Sequence, residues 1–234
     1  MYLTAVVPAA GKGKRVGCQL NKPFFLLEGK PLLAYSLLTL EESSLVNDII
    51  LVVEESKILE ARRLVRKYRI SKVKEIVAGG KSRQDSVASG LRRIGPLCEL
   101  VLIHDGARPF LTEELIRRTT LAAKRYKAAA PGFPISDTIK EVRSSSFIKS
   151  TIKNRESFWA VQTPQAFRAK IIQKAYFRAK KDHFLGTDSA SLVEGIGVPV
   201  RIIKGDPYNI KITTKNDLLL AKALLKIKGS GLNI

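Results

Sequence analysis

"VVPAAGKGKRVGCQLNKPF", residues 6–24, passes from a short apolar run into a loop with glycines at 11, 13 and 17. The loop also holds four cations (Lys12, Lys14, Arg15 and Lys22) and no acidic residue. An apolar run closed by a glycine-rich, cationic loop is what a βα unit looks like where the sheet delivers a ligand site, because the loop's N–H groups can cradle phosphate. The spacing is G-x-G-x-x-x-G. It fails the dinucleotide pattern G-x-G-x-x-G, since Val16 stands in the third glycine's place and no acidic residue follows about 20 residues on at a strand end. It also fails the P-loop, which requires G-x-x-x-x-G-K-[ST]. A tight turn with solvated lysines is the plain structural reading. The connection running from Pro8 towards Pro31 is longer than an ordinary βα loop, which favours a phosphate site.

Outward from this stretch the chain alternates between two periods. Short apolar runs at Leu3–Val7, Asp48–Val53, Val73–Val77, Leu100–His104 and Ala128–Gly132 predict strands, each closed by a turn signal. Helical spacing predicts helices at Pro31–Leu40, Lys57–Tyr68, Ser82–Arg93 and Thr112–Tyr126, the last opening with a threonine cap and two acids. Strands apolar on both faces with helices between them imply a mostly parallel sheet covered on both sides, with ligands at the strands' carboxyl ends. The rhythm breaks at "SDTIKEVRSSSFIKSTIKNRES", residues 136–157. Two polar, β-leaning runs around a triple serine predict a hairpin arm with little apolar surface of its own, which needs a partner surface to be stable. Beyond it come "WAVQTPQAF", a helix near Arg168–Asp182, a short one from Asp188, a strand at Val198–Ile203 and a closing amphipathic helix in "KNDLLLAKALLKIK". With no repeat or linker, the expectation is one Rossmann-like α/β domain over residues 1–234, carrying a projecting β-arm at about 136–157.

Composition narrows the function classes. The 234 residues are 45% apolar, enough for a sizeable core, and no apolar run approaches the roughly 18 residues of a membrane span. At the N-terminus charge follows the apolar run, the wrong order for a secretory signal, so a cytoplasmic protein is expected. Cys18 and Cys98 are too far apart in sequence to suggest a metal site, and read as ordinary thiols. Lys and Arg number 41 against 21 Asp and Glu, a formal charge of +20 that raises nucleic acid as a partner. Many of these cations lie on polar helix faces, as in "EARRLVRKY", and only 7% of residues are aromatic, so anionic small substrates account for the charge more economically.

The basic loop, with Lys22 seven residues after Arg15, resembles the signature of sugar- and polyol-phosphate nucleotidyltransferases. Further stretches sharpen the likeness: "GGKSRQDSV" (79–87), "HDGARPF" (104–110), "SDTIK" (136–140), "TPQAF" (163–167), "GTDSAS" (186–191) and "NIKIT" (209–213). In this order, along nearly the whole chain, they resemble the 2-C-methyl-D-erythritol 4-phosphate cytidylyltransferase family. The resemblance implies a Rossmann-like nucleotidyltransferase domain that makes a CDP-alcohol from CTP and a polyol phosphate, with magnesium, in non-mevalonate isoprenoid synthesis. The near alternative is ribitol 5-phosphate cytidylyltransferase; the distant one is a basic nucleic-acid-binding protein.

By that resemblance Arg15 and Lys22 bind the triphosphate and stabilise developing charge, and Lys211 reaches the α-phosphate. Pro8, Ala9, Ala10, Gly11, Gly13, Gly80, Ser86 and Asp105 fall on the nucleotide side, with Asp105 also the magnesium residue. Arg108, Thr138, Arg155, Thr163, Thr187 and Asp188 fall on the side of the polyol phosphate. Bland readings stand beside several of these: Ser86 as a structural helix-start serine, Asp105 as a strand-exit cap, Arg155 as a solvated rim charge. His104, at a strand end, reads as packed and hydrogen-bonded rather than catalytic. Two departures from the family pattern are the order Asn21, Lys22, Pro23, in which Pro23 biases Lys22 towards extended backbone, and Lys81 beside the base-binding turn. The arm is expected to cross onto a second subunit and form a homodimer, bringing Arg155 to the partner's site.

Overall fold

A computed structural model describes residues 1–11, 22–144 and 146–229. In chain order the elements are β1 (Leu3–Pro8), β2 (Leu26–Leu27), β3 (Lys30–Pro31), α1 (Leu32–Glu42), β4 (Asp48–Val53), α2 (Ile58–Lys67) and β5 (Val73–Ala78). Next come α3 (Arg83–Leu91), β6 (Leu100–Ile103), α4 (Glu113–Tyr126) and β7 (Ala128–Pro134). The arm pair β8 (Lys140–Val142) and β9 (Ile148–Thr151) precedes β10 (Trp159–Val161), β11 (Gln165–Arg168), α5 (Ala169–Lys181), α6 (Ser189–Glu194), β12 (Arg201–Lys204) and α7 (Lys215–Gly229).

The eight-stranded sheet runs β10-β7-β11-β6-β1-β4-β5, with β12 on β7. Pairings β1–β4, β1–β6, β4–β5 and β7–β12 are parallel, as the βαβ rhythm predicts. β11 is the departure: it wedges antiparallel between β6 and β7, and β10 also meets β7 antiparallel. Nothing in the periodicity of "WAVQTPQAF" marks these strands. Pro164 argues against a central strand, and β11 starts just after it, so long-range pairing rather than local propensity places it.

Alternation along each central strand explains why helices cover both faces. Leu3, Ala5 and Val7 of β1, with Ile49, Leu51 and Val53 of β4, face a core shared with α1, α2 and α4. Val6, Val52, Val101 and Ile103 point the other way, onto α3, α5 and α6. A third cluster, Leu27, Leu32, Phe110, Ile212, Ala221 and Leu224, packs α7 against the loop after β6. It anchors the "NIKIT" segment, distant in sequence, beside the strand ends. The arm lies outside all three clusters. Its exposed side chains include Val142, Phe147 and Ile148, each more than half exposed. Among the described residues no helix is long and apolar enough to cross a membrane.

Candidate active site

The carboxyl ends of β1, β5 and β6 form the floor of the site. The Ala9 N–H donates to the Val52 carbonyl, Gly79 to Val53 and Gly106 to Pro8, so the three strand exits are stitched into one surface. Glycine is required in the "GG" turn. A Cβ on Gly79 would lie 2.4 Å from Ala10 Cβ, and one on Gly80 2.3 Å from Asp85 Cβ, both inside contact distance. Helix α3 then opens on Ser82, not Ser86: Ser82 Oγ accepts from the Asp85 N–H at 3.0 Å, and Asp85 Oδ2 accepts from the Ser82 N–H at 3.1 Å. Ser86 is buried one turn in, its hydroxyl accepting from the Gly80 N–H (3.2 Å) and donating to the Ser82 carbonyl (2.9 Å). It therefore pins the turn that, with Ala9 and Ala10, makes a close wall of backbone groups.

Asp105 leaves β6 into a cluster assembled from three distant parts of the chain. Arg83, the first residue of α3, donates through Nε to Oδ1 at 2.9 Å, with Nη2 also 2.9 Å from that oxygen. Lys211 of "NIKIT" donates to Oδ2 at 2.6 Å. Side-chain exposure falls from 40% for Lys211 to 28% for Arg83 and 9% for Asp105, so the lysine is the solvent-facing member and the carboxylate the buried one. Burial alone would raise the Asp105 pKa, but Arg83 and Lys211 outweigh it and hold the carboxyl well below its ordinary range. Burial lowers the Arg108 pKa, while the charge of Asp105 offsets burial and raises that of Arg83.

A second layer of hydrogen bonds fixes this cluster. The Asp105 N–H donates to Thr163 Oγ1 (3.1 Å), which lies 3.3 Å from His104 Nδ1; His104 Nε2 lies 3.2 Å from the Arg108 carbonyl. Because a carbonyl can only accept, the proton belongs on Nε2, leaving Nδ1 to accept from the Thr163 hydroxyl. Burial pushes the fully enclosed His104 down to about 4, so it is a neutral connector. Arg108 Nη1 donates to the Asn209 carbonyl at 2.6 Å, and Asn209 Nδ2 to the Thr163 carbonyl at 2.7 Å. These bonds lock "HDGARPF", "TPQAF" and "NIKIT" together. Gln162, which spans the Asp206 and Asn209 carbonyls, reinforces the junction.

The structure thus brings together Pro8, Ala9, Ala10, Gly80, Ser86, Asp105, Arg108, Thr163 and Lys211. Gly11 closes the described part of the loop after β1. Gly13 and Arg15 lie outside the described residues, as does the side chain of Lys22, whose backbone opens the 3-10 turn Lys22–Phe24. Asp188 caps α6: Oδ1 accepts from the Ser191 N–H (2.9 Å) and Oδ2 from Gln165 Nε2 (2.6 Å). Thr187 beside it is exposed. Thr138 and Arg155 sit on the arm, both exposed, and Arg155 Nη1 donates to the Ser136 carbonyl at 2.8 Å. Among the described residues no hydrogen bond or ion pair joins either of them to the Asp105 cluster. Arg83 is the residue that motif reading passed over. The sequence marks it as a cation three residues past the "GG" turn; that it faces Asp105 is set by long-range packing.

Residues 3–227 match the profile of the IspD family, 2-C-methyl-D-erythritol 4-phosphate cytidylyltransferase. The enzyme of that name from Syntrophus aciditrophicus is 46% identical over 225 residues, covering 96% of both chains. That from Halalkalibacterium halodurans is 44% identical over 228 residues, covering 97% of this chain and 99% of the other. Among solved structures, 4-diphosphocytidyl-2C-methyl-D-erythritol synthase from Anaerococcus prevotii superposes with a TM-score of 0.85 at 32% identity, covering 96% of each chain. The Thermus thermophilus cytidylyltransferase gives 0.79 at 30% identity, covering 97% of this chain and all of its own. A sheet with an antiparallel insert, a polar arm and a carboxylate clamped between an arginine and a lysine at the strand ends therefore has a family: the chain belongs to the 2-C-methyl-D-erythritol 4-phosphate cytidylyltransferases.

Proposed function

We propose that this chain transfers the cytidylyl group of CTP to 2-C-methyl-D-erythritol 4-phosphate, releasing pyrophosphate and forming 4-diphosphocytidyl-2-C-methyl-D-erythritol, in the non-mevalonate isoprenoid pathway. Within the family frame, the observation that carries this reading is the convergence of Asp105, Arg83 and Lys211 at the strand ends. One fixed carboxylate beside an excess of cations suits a polyanionic nucleotide. The small-residue wall of Pro8, Ala9 and Ala10, with the Gly80–Ser86 turn, can read the cytosine edge through backbone groups, and Gly11, Gly13, Arg15 and Lys22 take the triphosphate.

A phosphate oxygen of the polyol substrate attacks the α-phosphorus of CTP in line. A new P–O bond forms as the bond between that phosphorus and the α–β bridging oxygen breaks, and pyrophosphate leaves with the electron pair. The attacking phosphate is already ionised at neutral pH, so no general base is needed. Lys211 can leave Asp105 for the α-phosphate while Arg83 keeps the carboxylate aimed; Arg15 and Lys22 stabilise charge moving onto the leaving group.

Among the described residues no three acidic, histidine or cysteine side chains cluster. Magnesium takes few protein oxygens and draws its other ligands from phosphates and water. Asp105 would supply the protein's oxygen. Bound there, the ion would neutralise triphosphate charge.

The arm supplies the remaining cation. We read residues 136–157 as a dimerisation element that carries Thr138 and Arg155 into the partner's site, where they hold the polyol phosphate with Arg108, Thr163, Thr187 and Asp188 of the main body. The exposed Val142, Phe147 and Ile148 support this, since a lone polar hairpin with uncovered apolar side chains is marginal in water.

Pyrophosphate release from purified protein tests the assignment. It should require CTP and methylerythritol phosphate together, with UTP, ATP and GTP poor substitutes. Faster turnover with ribitol 5-phosphate, or with UTP, would overturn it.

A further inference from the structure

Two glutamines hold the segment that leads into α6, and each uses both ends of its amide to do so. Gln84, the second residue of α3, donates from Nε2 to the Phe184 carbonyl (3.0 Å), and its Oε1 accepts from the Gly186 N–H (3.0 Å). Gln165 of β11 donates to Asp188 Oδ2 (2.6 Å), and its Oε1 accepts from the Ala190 N–H (3.2 Å). Thr187 lies between the two clamps. It is exposed, and its hydroxyl makes no hydrogen bond among the described residues. Fixed backbone on both sides of a free hydroxyl is how a ligand contact is preorganised, because the ordering cost is met before the ligand arrives.

The position of Gln84 adds a second point. It stands between Ser82, which caps α3, and Ser86, which holds the Gly80 turn, so one helical turn touches both the nucleotide wall and the Thr187 segment. Its neighbour Arg83 reaches inward to Asp105. Of these four, Gln84 is the one that bonds to the loop beside Thr187.

We propose that Gln84 is a positioning residue for the phosphopolyol: it fixes the Phe184–Gly186 backbone so that Thr187 meets the acceptor substrate from the turn that frames the nucleotide. This rests on the reading that Thr187 belongs to the acceptor side.

The test compares Gln84→Met, which keeps the side chain's length without its polar ends, with Gln84→Glu and Thr187→Val. Initial rates are measured over both substrates, with CTP binding by calorimetry and thermal melting alongside. Gln84→Met should raise the KM for methylerythritol phosphate about tenfold, the scale of about 1.4 kcal/mol of lost hydrogen bonding. The KM and Kd for CTP should stay within about twofold, and Tm within about 3 °C. Gln84→Glu, which keeps the acceptor for Gly186 and loses the donor to Phe184, should fall between wild type and Gln84→Met; should Gln84→Met fail to fold, Gln84→Glu carries the test. An equal rise in both KM values, or a rise in neither, would overturn the proposal. If Thr187→Val leaves the acceptor KM unchanged, the acceptor assignment fails and the inference with it. If Thr187→Val raises that KM and Gln84→Met does not, the inference fails alone.

Discussion

The Asp105 cluster and the 136–157 arm are held by opposite means. Asp105 itself is locked by partners from other parts of the chain: Arg83 from α3, Lys211 from the segment before α7, Thr163 from the cis Thr163–Pro164 turn. The arm is held almost wholly by itself. Its pairs Lys140–Thr151, Lys149–Glu141 and Ser150–Glu141 are exposed and close in sequence, and among the described residues the Arg155 side chain bonds to the Ser136 carbonyl at the arm's own base. The first arrangement is preorganised within one protomer. The second, on the proposed reading, is completed by a partner subunit. Activity and stability should therefore be coupled in the main body and separable in the arm.

The largest effect expected is on turnover in the main body. Lys211→Ala should lower kcat about a hundred- to a thousandfold, the usual cost of losing a preorganised charge at the reacting group, as should Arg15→Ala and Lys22→Ala. Steady-state kinetics decide this; a variant whose only change is a higher KM for CTP would remove that residue from the transition state. Arg83→Met should damage both properties. It strips a buried carboxylate of one partner, which costs about 3 kcal/mol, the low end for a broken buried pair because Lys211 remains on Oδ2. Denaturant unfolding and kcat should both register it. Arg155→Ala should abolish activity with no change in melting temperature. If Arg83→Met proved inactive yet fully stable, or Arg155→Ala unstable, the contrast would break.

A smaller effect lies in acid stability. His104 is held neutral by burial, at about 4 against 6.5 for a free imidazole. The unfolded chain thus takes up a proton first, and stability contributed by neutral His104 is full above about pH 6.5 and lost as pH falls towards 4. Asp105 has the opposite protonation chemistry and the same outcome. Its depressed carboxyl contributes stability above the ordinary carboxylate range, lost only in stronger acid. Melting curves between pH 7 and 4 should fall for the wild type and flatten for His104→Asn. The smallest effect expected is in the arm: Lys149→Ala removes an exposed ion pair with Glu141 and should leave the melting temperature unchanged.

The same contrast explains what was legible in the sequence. Strand and helix periodicity follows from burial on two faces, so the βαβ core could be read directly, and a polar hairpin around a triple serine betrays itself by what it lacks. β10 and β11 could not be read this way. Four residues after a proline become a central strand only because β6 and β7 leave a gap for them. The site was legible as motifs but not as a network. Asp105 meets Arg83 across 22 positions and Lys211 across 106, distances over which local patterning carries no information. Ser86 shows the same limit: its hydroxyl pins Gly80, while the cap itself is Ser82. Arg15 and the Lys22 side chain lie outside the described residues, and their roles rest on the family pattern.

Subunit mixing tests the division of labour most directly. Lys211→Ala and Arg155→Ala are each expected to be inactive as pure homodimers. If the arm crosses to a partner, a mixed dimer holds one site with intact Lys211 from one chain and intact Arg155 from the other, and a second site with both lesions. Equal mixing with complete exchange should restore about a quarter of wild-type activity, since half the dimers are mixed and each has one working site. If the arm serves its own protomer, every site keeps one lesion. No recovery of activity, with exchange verified by differently tagged chains, would contradict the shared site.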